Sequence, residues 1–213
     1  MYIAIEGVIG VGKTTLARLI HKAFQADLLM EVFEENPFLS DFYADRQRYA
    51  FQTQIFFLLS RYHQQNNTIP QTLQAGNSII SDYTFDKDSL FARINLKGDE
   101  LDMYYKVHEA LAEKITLPDL IVYLRADTNV LMQRIAQRDR PYERQMEVDY
   151  IATLNHYYDI HFGGRSKENI LVINTDELDF VRKPDDLEFV AQRINQALKL
   201  APFQESLPID LNH

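Results

Sequence analysis

The run Gly7-Val8-Ile9-Gly10-Val11-Gly12-Lys13-Thr14 has the spacing of a loop that cradles phosphate, with glycines at its first and sixth positions followed by Lys and Thr. Glycine permits the positive-φ backbone that aims successive N–H groups at phosphate oxygens. Lys13 can bridge the β- and γ-phosphates, the Thr14 hydroxyl can ligate magnesium, and a helix starting here adds the positive end of its dipole. Gly7, Gly10, Val11, Gly12, Lys13, Thr14 and Thr15 are therefore expected to hold ATP with Mg2+. This loop specifies the phosphate donor but not the acceptor, because kinases, GTPases and motor ATPases share it. The Asn-Lys-x-Asp stretch expected of a GTPase does not occur.

Other residues could complete such chemistry. Glu31 opens the acidic stretch Glu31-Val32-Phe33-Glu34-Glu35, and a carboxylate within reach of an acceptor hydroxyl can take its proton as the oxygen attacks phosphorus. Glu34 and Glu35 read more readily as surface charges or helix N-terminal caps. Asp82, at the end of an apolar run, is suited to hold magnesium through water alongside Thr14. Gln54 and Arg61 lie seven residues apart, two turns along one helix face; either one alone is commonly a core-edge residue with a solvated head. Arg134, Arg138, Arg140 and Arg144 lie on and just beyond a helix that Pro141 ends. An Arg-rich segment over about residues 138–145 can close as a lid, spread charge over phosphoryl oxygens and keep water out. Asp86 and Asp88 sit in a polar stretch that could equally be solvated, and His21, His63, His108, His156 and His161 show no metal-ligand spacing.

Positioning these groups requires strands that end near them. Apolar runs at Tyr2–Glu6, Ser78–Ser81, Leu120–Leu124 and Ile170–Ile173 read as buried parallel strands, with a weaker fifth at Leu28–Glu31. Helical periodicity fills Thr14–Phe24, Phe51–Gln65, Leu101–Ile115, Val130–Gln137 and Leu187–Leu200. The alternation predicts an α/β three-layer sandwich on a parallel five-stranded sheet, the fold of P-loop nucleoside triphosphate hydrolases. Asp41–Asn66 reads as one or two helices outside that minimal core, an excursion of the kind that builds substrate pockets. No repeat or linker divides residues 1–213, which read as one domain with a loosely ordered tail over 202–213.

The formal net charge of −9 argues against a polymeric nucleic-acid or anionic-membrane partner. No apolar run reaches the ~20 residues that span a bilayer. The absence of Cys removes disulfides and thiolate zinc sites, and the phosphate loop follows Met1 almost at once, so a cytoplasmic location is expected.

Taken together, the phosphate loop, Glu31 with Glu35-Asn36-Pro37-Phe38, the helix carrying Gln54 and Arg61, and the later Arg cluster resemble the bacterial deoxynucleoside kinases over most of the chain, with a pattern nearest the deoxyguanosine kinase-like members. The resemblance implies transfer of the γ-phosphate of ATP to the 5'-hydroxyl of a 2'-deoxynucleoside in nucleotide salvage by a homodimer. It makes Glu31 the base and Lys13, Arg138 and Arg140 its catalytic partners. It puts Gln54, Arg61 and Asp88 on the nucleobase, Tyr43 and Glu143 on the 3'-hydroxyl, Asp82 and Tyr83 beside the acceptor, and Arg134, Arg138, Asp179 and Phe180 on ATP. Tyr83 departs from the Arg common in the family, as in deoxyguanosine kinase-like members, which points to a purine nucleoside. A thymidylate or other nucleoside monophosphate kinase remains an alternative, as does a P-loop ATPase acting as a switch or binding module.

Overall fold

Residues 1–163 and 169–199 are described by the computed structural model; the predicted tail, 202–213, lies outside them. Five strands, β1 (Tyr2–Glu6), β2 (Ala26–Leu29), β3 (Ser78–Ser81), β4 (Leu120–Arg125) and β5 (Ile170–Asn174), form one all-parallel sheet in the order β2-β3-β1-β4-β5. Every residue of the central strand β1 is buried, as expected where both faces of a parallel sheet are covered. Tyr2 and Ala4 face a cluster with Leu29, Ile69 and Ile79. Ile3 and Ile5 point the other way, toward Leu16, Ala17 and Ile20 of α1 (Lys13–Ile20). Helices on both faces give the predicted sandwich.

The predicted excursion is two helices, α2 (Leu39–Ala44) and α3 (Arg46–Gln74). Asp45 caps α3 by accepting the Arg48 amide at 3.2 Å, the arrangement that satisfies an orphan donor at a helix start. The helix runs on through Pro70, well beyond the predicted end at Gln65. Two helices had no prediction, α4 (Lys87–Asn95) and α7 (Val148–Tyr158), while α5 (Gly98–Ala112), α6 (Thr128–Arg138) and α8 (Pro184–Ala197) match predicted segments. Strand β2 lies two residues earlier than expected. Leu29 pairs with Ser81 at the end of its ladder, and the Glu31 amide donates instead to the Asp82 carboxylate at 2.7 Å. Glu31 thus stands just past the strand, at the carboxyl edge where open α/β sheets bind ligands.

Candidate active site

Between β1 and α1 the phosphate loop takes its conformation from its glycines. Gly7 and Gly12 have φ of 146° and 106°. A Cβ on Gly7 would lie 2.4 Å from the Leu124 carbonyl oxygen, and one on Gly12 would lie 2.9 Å from the Phe180 ring, so side chains are excluded by both space and backbone angle. No side chain caps α1, which leaves its first-turn amides for an anion. The Lys13 ammonium bends back to donate to the carbonyls of Gly7 (2.7 Å) and Val8 (3.1 Å). Burial and the nearby Lys87 cation lower the Lys13 pKa to about 8, against the pull of Glu6, Glu31 and Asp82. Glu6, fully buried beneath the loop, accepts from the Thr84 amide (2.5 Å), the Thr84 hydroxyl (2.8 Å) and the Gly7 amide (3.1 Å). It ties the loop to the segment after β3. Burial pushes its carboxyl pKa up, although Lys87 and Lys13 oppose that.

Asp82 joins two halves of the site. One oxygen accepts the Thr14 hydroxyl at 2.5 Å and the other the Glu31 amide at 2.7 Å. Among the described residues no group of three or more His, Asp or Glu could hold a metal ion. Thr14 and Asp82 together offer a hydroxyl and a carboxylate, a hard-oxygen pair suited to a magnesium ion that takes its remaining ligands from phosphate and water.

Glu31 is clamped between cations. Its carboxylate accepts from Arg61 (Nε at 3.0 Å, with a second guanidinium contact) and from Lys87 Nζ at 2.7 Å. Burial alone would raise its pKa, but Arg61 and Lys87 outweigh that and hold it well below the usual carboxylate range. Arg61 also pairs with Asp88, which is fully buried behind it, and lies 4.4 Å over the Phe57 ring. Gln54 is buried on the same helix, and its side-chain carbonyl has no partner among the described residues. Buried amide oxygens seldom go unpaired, so this acceptor is placed for a ligand donor.

A cavity of about 800 Å³ joins these groups. Gly10 through Thr15 line one end, and Glu31, Gln54, Arg61, Tyr43 and Phe33 line the other. Asp82, Tyr83 and Asp88 are buried behind the wall. Tyr83 turns away, its hydroxyl donating to Gln64 at 2.5 Å, whereas Asp82 and Asp88 act on the wall through Thr14, Glu31 and Arg61.

The arginine segment covers the cavity. Arg138 makes a two-pronged pair with Glu143, whose backbone belongs to a 3-10 turn at Pro141–Glu143. Tyr142 stacks on Tyr43 with centroids 5.7 Å apart, and Arg140 lies 4.2 Å over Phe33. Arg144 instead pairs with Asp139 at the exposed surface. Arg134 spends its guanidinium on backbone carbonyls, at 2.6 Å from Thr175 and 3.3 Å from Leu178, and so pins the loop after β5. Asp179 and Phe180 of that loop line the cavity, and Phe180 packs against Gly12.

Lys87, Phe33 and Tyr142 line the cavity without having been singled out from the sequence. Nothing local marks Lys87, because a Lys six residues after a strand is ordinarily solvated. The aromatics are indistinguishable from core residues until the fold brings them to one cavity.

The deoxynucleoside kinase family model matches residues 3–199. The deoxyguanosine kinase of Bacillus subtilis is 33% identical over 201 residues, covering 92% of this chain and 97% of that protein. A deoxyadenosine/deoxycytidine kinase from the same organism is 28% identical, covering 90% of both chains. The solved structure of the deoxyadenosine kinase from M. mycoides with bound dCTP has a TM-score of 0.78 and 27% identity, covering 92% of this chain and 100% of that one. With the family match spanning nearly the whole sheet and every segment of the cavity, the chain belongs to the deoxynucleoside kinase family.

Proposed function

We propose that the protein transfers the γ-phosphate of ATP, with magnesium, to the 5'-hydroxyl of a purine 2'-deoxynucleoside, deoxyguanosine or deoxyadenosine. The observation that carries this reading is Glu31, a carboxylate held ionised by Arg61 and Lys87 inside one cavity that also contains the phosphate loop. In this reading Glu31 accepts the hydroxyl proton. A carboxylate of such low pKa is a weak base, which suits a loose phosphoryl transition state where the proton departs late. Lys13, Arg138 and Arg140 meet the charge on the phosphoryl oxygens, and the unpaired Gln54 carbonyl together with Arg61 meets the nucleobase edge. Tyr43 and Glu143 face the sugar. Thr14 and Asp82 would hold magnesium, which neutralises phosphate charge when bound.

A neutral acceptor also agrees with the charge count at this end, where Arg61 and Lys87 are matched by Glu31 and Asp88. Salvage in the cytoplasm by a homodimer completes the proposal.

The test is turnover of magnesium-ATP with deoxyguanosine, deoxyadenosine, deoxycytidine and thymidine, with thymidine monophosphate and no acceptor as controls. Purine nucleosides are expected to be phosphorylated fastest. Glu31→Gln is expected to lower kcat by about 10²–10⁴. Activity confined to the monophosphate, or hydrolysis without an acceptor, would overturn the reading.

A further inference from the structure

Lys87 occupies a costly position. It is the first residue of α4, where the helix dipole disfavours a cation, and it is 4% exposed, where an ammonium loses its hydration. Its ammonium faces two aromatic rings, with Nζ 6.0 Å from the Tyr83 centroid and 5.8 Å from that of Phe91. Nζ donates to Glu31 at 2.7 Å, and its charge is felt by both Lys13 and Glu6. Lys87 therefore bonds the proposed base and is in electrostatic reach of Lys13 in the phosphate loop.

Lys87 balances the charge of this cluster, yet Glu31 would keep a partner without it, since Arg61 bonds that carboxylate with Nε and a second nitrogen. Three other cations that line the cavity have partners away from Glu31. Arg134 is bonded to carbonyls of the loop after β5, Arg138 to Glu143, and Arg140 lies over Phe33. Lys13 reaches from the donor side. Lys87 lines the cavity on the Glu31 side, and an ammonium has three donors, so it can keep Glu31 and reach further oxygens.

We propose that Lys87 is a catalytic residue whose ammonium contacts the phosphoryl group in transfer while still bonded to Glu31. This rests on the kinase reading above. In the step concerned, the acceptor oxygen forms a bond to the γ-phosphorus as the bond to the β,γ-bridging oxygen breaks. ADP leaves with that electron pair, and the hydroxyl proton passes to Glu31. Lys87 binds the non-bridging oxygens as their charge approaches the acceptor, with no proton of its own transferred.

The experiment uses the full chain and the deoxynucleoside that the wild type turns over best. Lys87→Met is expected to lower kcat by about 100-fold or more. It should weaken binding of the 5'-monophosphate product by about tenfold or more while leaving nucleoside affinity unchanged, because only the product carries phosphoryl oxygens. Lys87→Arg is expected to recover part of both losses, and it carries the same comparison if Lys87→Met does not fold. An unaltered kcat, or equal weakening of nucleoside and product, overturns the assignment and leaves Lys87 a structural counter-ion. A wild type that phosphorylates no deoxynucleoside instead refutes the reading on which the assignment rests.

Discussion

Replacing Arg61 by Met tests the central charge arrangement without reference to any substrate. Arg61 is 6% exposed, and its guanidinium is shared by Glu31 and the fully buried Asp88. Methionine keeps most of the apolar stem over Phe57. Glu31 retains Lys87 in the variant, but among the described residues Asp88 has no other cationic ion-pair partner. Removing one member of a buried pair strands the other charge, a loss of about 3–5 kcal/mol. For a chain of this length that corresponds to a fall in Tm of roughly 6–20 °C. Arg61→Met/Asp88→Asn removes the stranded charge as well, so the double variant should be more stable than Arg61→Met alone, with a coupling energy of about 2 kcal/mol or more. The sequence contains no Trp, so urea unfolding followed by far-UV circular dichroism is the suitable assay. A loss below about 1 kcal/mol for Arg61→Met, or a double variant as unstable as the sum of the single ones, would show that Arg61 does not carry the buried charge of Asp88.

Three further outcomes are expected. Gly12→Ala forces a side chain at φ 106° to within 2.9 Å of Phe180, and should cost about 1–3 kcal/mol and abolish measurable ATP binding. The Lys13 pKa of about 8 in the free protein should rise beside anionic phosphates, so ATP binding at and above pH 8 should take up protons, up to about one. That uptake should vanish at lower pH, where Lys13 is already charged. Calorimetry in buffers of different ionisation enthalpy reads this directly, and buffer-independent heats would contradict it. Tyr142→Leu removes the stacking on Tyr43 and should raise the nucleoside KM by roughly 2–10-fold, with more ATP hydrolysed in the absence of acceptor.

The phosphate loop was legible because its chemistry is local. Glycines, Lys13 and Thr14 work through backbone angles and a helix start set within eight residues. The sheet was legible because each strand of a parallel sheet is apolar on both faces and stands out as a continuous run. Strand β2 was misplaced by two residues because its end depends on where β3 stops pairing and on the Asp82 carboxylate capturing the Glu31 amide. Helices α4 and α7 were missed because their buried faces include polar or aromatic residues, Lys87 and Asp88 in one and Tyr150 and Tyr158 in the other.

The site divides the same way. Sequence alone singled out a glycine-rich phosphate-type loop, an acidic stretch opening at Glu31 and an arginine-rich segment, since each is a recognisable residue type at a characteristic spacing. Tertiary structure decided which of these groups meet. It set Glu31 between Arg61 and Lys87, turned Tyr83 onto Gln64, directed Arg134 to the backbone and brought Lys87 into the wall of the cavity. Those outcomes depend on hydrogen bonds and ion pairs between residues 19 to 56 positions apart, and chain separation carries no information about contact until the sheet order and the helix packing have fixed which ends lie side by side.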